Sequence, residues 1–129
     1  MANNPQDNVI PGFEKLSKQE LFDMAAAHIL KNGEPSIEAG ACVYTGIGCA
    51  ASPFLTERGK HELQGSWTQL RLNGTVPTHE YHFVQCMQQC HDEWGGFQHN
   101  LRGPDFIHKF KESMRELAKA NNLSPAILG

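Results

Sequence analysis

The chain has 129 residues, is 40% hydrophobic and 19% charged, and carries a formal net charge of −3. A single core is expected at this length, and mild acidity argues against a general nucleic-acid binder, which carries a basic face. No stretch approaches the ~18 consecutive apolar residues of a membrane span, and the N-terminus shows no signal-peptide pattern, so the expected compartment is the cytoplasm, where cysteines normally stay reduced.

Residues 1–15 read as a flexible tail, polar and rich in Asn and Pro through position 12, and residues 16–129 as one compact domain. Ser17-Lys18-Gln19-Glu20 is a capping box with Leu16 and Leu21 at the hydrophobic-staple positions. The helix it opens carries Leu21, Phe22, Ala25, Ala26 and Ile29 and stops at Asn32-Gly33. His28 falls on or beside that apolar face, where a histidine packed at the core edge is favoured over a ligand. Glu34-Pro35-Ser36 connects to the stretch around Cys42-Val43-Tyr44-Thr45-Gly46-Ile47-Gly48-Cys49. There β-favouring residues flank two turn glycines, so residues 42–45 and 47–50 read as a two-stranded β-hairpin with Cys42 and Cys49 facing each other.

Ser52-Pro53 reads as a helix start, with a short helix over Phe54, Leu55 and Glu57 that ends near Gly59. From residue 60 to 77 the pattern weakens. Trp67, Leu70 and Leu72 fit a strand or an apolar-pinned loop, with loop preferred. Thr78 is the expected cap of a long central helix whose one face holds Phe83, Val84, Met87, Cys90, His91 and Trp94, ending at Gly95-Gly96. Gly103-Pro104 opens the last helix, with Phe106, Ile107, Phe110, Met114, Leu117 and Ala118 on one face and a stop near Asn121-Asn122. Residues 123–129 are a short apolar tail for docking on the core or on a second copy, which leaves a homodimer open. The fold class expected is therefore α+β and mainly helical, with three main helices packed around a short hairpin.

Chemistry-bearing residues cluster by type more than by motif. His79, Cys86 and Cys90 fall within about 40° of one another on a helical wheel of about 100° per residue. Cys42 and Cys49 would complete a four-sulfur zinc site, with His91 nearby. Neither cysteine pair has the two-residue spacing of a zinc knuckle, and cysteine is commonly buried. Free structural thiols are therefore preferred over zinc or a disulfide, and no cofactor is expected, zinc being the alternative. His91-Asp92 suggests a base and its orienting carboxylate, but neighbouring side chains diverge by about 100° on a helix, which argues against a bond between them. The same dipeptide resembles ligands of metal-dependent phosphohydrolases, without their further histidines. There is no phosphate-binding glycine loop and no dinucleotide fingerprint.

The order of Leu16-Ser17-Lys18-Gln19-Glu20-Leu21-Phe22, His28-Ile29-Leu30-Lys31-Asn32-Gly33, Cys42-Val43-Tyr44, Gly48-Cys49-Ala50 and His91-Asp92 resembles small uncharacterised phage and prophage proteins. These have a capped first helix, a Cys-x-Tyr…Cys-Ala hairpin and a later His-Asp helix. This chain departs from the pattern with Thr45 in place of an arginine, with Ser52 in place of a glycine or small residue, and with a shorter hairpin turn. The resemblance implies expression in a bacterial host and shared core residues more than a shared active site. The expected function is non-enzymatic binding to a bacterial host protein, as a host-takeover or counter-defence inhibitor. The alternative is a metal- or thiol-dependent enzyme centred on Cys42, Cys49, Cys86, Cys90 and His91.

Overall fold

A computed structural model describes residues 5–38, 41–46, 48–96 and 98–129, without the side chains of residues 37, 38, 41 and 42. Among them are five α-helices: α1 (Lys18–Asn32), α2 (Glu57–Glu62), α3 (Trp67–Leu72), α4 (Tyr81–Gly95) and α5 (Gly103–Ala120). Short 3-10 turns stand at Pro5–Asp7, Phe13–Lys15, Ser52–Phe54 and Ala126–Leu128.

α1 begins as its sequence dictates. Ser17 Oγ accepts from the Glu20 N–H at 3.1 Å, and the Glu20 carboxylate accepts from the Ser17 N–H at 3.0 Å. Two of the four orphan donors of a helix N-terminus are thereby satisfied. Gly33 closes the helix in the left-handed region at φ 73°, its N–H bonding the Ile29 carbonyl at 2.9 Å. α4 packs on α1, α3 and α5, and the buried faces of these helices meet in one core that includes Phe22, Ile29, Val84, Met87, Phe106, Phe110 and Met114. The Trp94 indole N–H donates to Ser113 Oγ at 2.7 Å and links α4 to α5 at their polar edge.

The α+β expectation is overturned: the chain is helical, and no hairpin forms from residues 42–45 and 47–50. Ile47 lies outside the described residues. Gly46 and Gly48 stand in the left-handed region at φ 66° and 82°, and the segment between Val43 and Ser52 curls without strand pairing among its described residues. The Cys49 N–H closes this curl on the Val43 carbonyl at 3.0 Å. The only ladder among the described residues lies upstream and is two pairs long, Ile37 with Cys42 and Glu38 with Ala41.

Three further expectations are corrected. From Pro5 onward the N-terminal segment is part of the body and not a flexible tail: Val9 is 3% and Phe13 1% exposed. It is stitched to the middle of the chain by Ile10 N–H to the Phe54 carbonyl at 3.0 Å, Thr56 N–H to the Asn8 carbonyl at 3.0 Å, and Asn8 Nδ2 to the Thr75 carbonyl at 2.9 Å. Gly59 of α2 makes that seam possible, because a Cβ there would stand 2.5 Å from the Asn8 carbonyl oxygen. The weakly patterned stretch 60–77, expected as mostly loop, contains the end of α2 and the whole of α3, with Trp67 fully buried against Phe13 and Phe54. Thr78 does not cap α4. Glu80 occupies the cap position at φ 45° with no side-chain bond, and the Tyr81 N–H bonds the Thr78 carbonyl at 3.2 Å.

Candidate functional site

Several polar side chains of the interior gather where the loop 43–52 meets α1, α3 and α4. Gln88, on the buried face of α4, is fully enclosed and hydrogen-bonds in two directions. Its Oε1 accepts from the Trp67 N–H at 2.7 Å, and its Nε2 donates to the Tyr44 hydroxyl at 2.8 Å. The Tyr44 hydroxyl in turn donates to the Gly65 carbonyl at 2.7 Å. Gln85, one turn earlier, accepts from the Thr68 N–H at 2.8 Å, so two glutamines of α4 satisfy the first N–H groups of α3. Burial pushes the Tyr44 phenol well above its ordinary value.

Loop 43–52 is tied down from the other side as well. Ser52 Oγ donates to the Tyr44 carbonyl at 3.0 Å, and His28 Nε2 donates to the Gly48 carbonyl at 2.9 Å. Gly48 fits only as glycine: a Cβ would stand 2.6 Å from Ser52 Oγ and 3.2 Å from His28 Nε2. His28 is thus a loop anchor at the edge of the core.

His91 has the most consequential placement. It is fully buried, with the ring edge-on to Phe106 at 5.6 Å. The Ser36 N–H donates to its Nε2 at 2.9 Å, which places the ring proton on Nδ1, where it is donated to Asp92 Oδ1 at 2.7 Å. The expectation that adjacent residues on a helix cannot make this bond is overturned. The bond joins a fully buried imidazole to a carboxylate that stays 31% exposed. A histidine oriented by a carboxylate is the arrangement of a general base. Here the second nitrogen accepts from the Ser36 backbone amide, which occupies the place a nucleophile would take.

The other expected site residues separate. Cys49 is buried and disulfide-bonded. The Cys42 side chain lies outside the described residues. His79 precedes α4 rather than standing on it, and its Nε2 donates to the Leu16 carbonyl at 2.8 Å with the ring edge-on to Phe13. Cys86 and Cys90 stay together on α4 as free thiols, Cys86 half-buried and Cys90 buried. Desolvation pushes both thiols up, Cys90 to about 12, which is the reverse of an activated nucleophile. Among the described residues no group of three or more His, Cys, Asp or Glu is placed to hold a metal.

Sequence reasoning passed over Tyr44, Gln88, Gln85 and Ser36. One signal was present: Val84, Gln88 and His91 are spaced four and three apart, in register with the apolar stripe of α4. A glutamine in that register is either misplaced or hydrogen-bonded inside.

One groove is lined by Pro5, Gln6, Glu14, Pro77, Thr78 and His79, beside the seam of the N-terminal segment. No protein-family model, curated protein or solved structure matches this chain. The chemistry of the site is therefore read from its own residues.

Proposed function

We propose that the protein acts by non-enzymatic binding to a bacterial host protein, as an inhibitor of the host-takeover or counter-defence kind. The observation that supports a binding role is the commitment of the reactive groups. Both nitrogens of His91 are engaged, Nε2 by the Ser36 N–H that ties the segment before the loop to α4 and Nδ1 by the neighbouring Asp92. Cys49 is spent in a disulfide, and the Cys90 thiol is held protonated by burial. A base or nucleophile needs a free lone pair facing a cleft, and these residues supply bonds to the fold instead. The bacterial host rests on the phage-type resemblance of the sequence.

The outer face of α5 offers a surface of mixed sign, where Glu112 pairs with His108 at 3.2 Å and Lys109 at 3.4 Å. Interfaces that form and dissociate are about as polar as the rest of a protein surface, and such a face suits one. No described helix is long and apolar enough to cross a membrane, and the host cytoplasm is the proposed compartment. The disulfide at Cys49 bears on that compartment, because such bonds are rare in reducing cytosol. Alkylating whole cells before lysis will show whether Cys49 is blocked there. A bond present in cells would move the proposal to an oxidising compartment.

The deciding experiment is capture of partners from bacterial lysate by the full chain, with metal analysis of protein purified without an affinity tag. A single host protein retained at stoichiometric level, and released by substitutions on the α5 face, is the expected result. Stoichiometric zinc that survives dialysis, with no retained protein, would favour a metal-dependent enzyme.

A further inference from the structure

The fold takes apart the zinc site that the sequence suggested, and what it leaves is a pair. Cys49 is bonded elsewhere, His91 is held by Ser36 and Asp92, and His79 is turned to Leu16. Cys86 and Cys90 remain, free and one helical turn apart on α4. Side chains at that spacing stand about 5–6 Å apart at Cβ, within reach of one ion held between two sulfurs. With no third His, Cys, Asp or Glu converging on them among the described residues, they are too few for zinc, which takes three or four protein ligands. Two sulfurs suffice for a soft cation that accepts two ligands, and among the metals that thiolates favour Cu(I) is the one that does so.

We propose that Cys86 and Cys90 form a two-coordinate site for Cu(I). On binding, two S–H bonds break and two Cu–S bonds form, and both protons go to solvent. Copper remains Cu(I), so no electron moves and the ion must arrive already reduced. The half-buried Cys86 is the point of entry, and the buried Cys90 is the second ligand. The site is independent of the proposed protein partner, and neither result bears on the other.

The test uses the full chain without thiol reductant, so that the Cys49 disulfide stays intact. Under anaerobic conditions Cu(I) is supplied as its coloured bicinchoninate complex, and loss of colour reports transfer. One equivalent of copper per chain is expected, with affinity reduced by at least about a hundredfold in Cys86→Ser and in Cys90→Ser. His82→Ala, an exposed position one turn before Cys86, should leave transfer unchanged. Should Cys90→Ser lose its helical circular dichroism, Cys86→Ser decides alone. No transfer to the parent, transfer that survives Cys86→Ser, or dependence on His82 would each overturn the proposal.

Discussion

At the scale of single residues, His91 illustrates how a group suited to catalysis is used for folding. Its Nε2 is the acceptor for the Ser36 N–H, a buried donor that no helix or ladder otherwise satisfies. His91→Phe keeps an aromatic ring against Phe106 but removes that acceptor. It should cost about 1–3 kcal/mol in chemical denaturation, the penalty of an unsatisfied buried donor. Asp92→Asn keeps an oxygen for the Nδ1 proton and should cost less. Equal losses in the two variants would mean that the aspartate, and not Ser36, is the important partner. Cys90 and Tyr44 make a second prediction through pH. Both are raised in the folded state by desolvation, Cys90 to about 12. The unfolded chain therefore ionises first as pH rises, near about 8.5 for the thiol and about 10 for the phenol. Their contribution to stability is complete below those values and is lost as pH climbs toward the folded-state values. Alkaline unfolding should begin above about pH 8.5, and Cys90→Ala and Tyr44→Phe should each flatten the slope. At neutral pH, native Cys90 should react with iodoacetamide on the order of a thousandfold more slowly than an unfolded cysteine, given its thiolate fraction.

At the scale of elements, helix ends show two solutions to one problem. α1 satisfies its first amides from its own sequence through Ser17 and Glu20. Ser17→Ala should cost about 1 kcal/mol, read as a fall in thermal stability with the rest of the fold unchanged. α3 has its own cap, Ser66 Oγ accepting from the Gln69 N–H at 3.2 Å, but needs Gln85 and Gln88 from a different helix for Trp67 and Thr68. Gln88→Met, close in volume, should cost about 1–3 kcal/mol by stranding the Trp67 amide. Hydrogen exchange should localise the damage to α3 and to the Tyr44 loop, and protection lost evenly over the chain would contradict the assignment. A six-residue helix is not stable alone, so α3 exists because α4 receives it.

At the scale of the whole molecule, the two ends of the chain brace the same body. The N-terminal segment joins the 54–75 region, and the C-terminal segment returns to α1. There Gln19 grips Ser124 with both ends of its amide, donating to the Ser124 carbonyl at 3.0 Å and accepting from its N–H at 2.8 Å. Leu128, 1% exposed, closes the contact, while Ile127 beside it is 39% exposed. Leu128→Ala should destabilise by about 2–5 kcal/mol, the range for truncating a buried leucine. Ile127→Ala should have little effect. Denaturation curves of the two variants that coincide would show that the tail is held by Gln19 alone.

Periodicity placed α1, α4 and α5 and most of their buried faces, and a capping box fixed the start of α1, because an amphipathic stripe and a capping box act within a few residues and need no partner to be read. Three things required the assembled chain. The glycines of loop 43–52 suit a hairpin or a curl equally by local preference. The curl prevails because His28 of α1 and Gln88 of α4 hold it from neighbouring helices and Ser52 ties it across to the Tyr44 carbonyl. Residues 60–77 lack a long apolar repeat, and the helix at Trp67 is stabilised by burial of the indole and by amide acceptors on α4. His91 and the cysteines have the same side chains in a metal site, an active site or a core. Which of these they form depends on the atoms facing Nε2 and Sγ, and tertiary packing sets that over 55 residues of separation between Ser36 and His91.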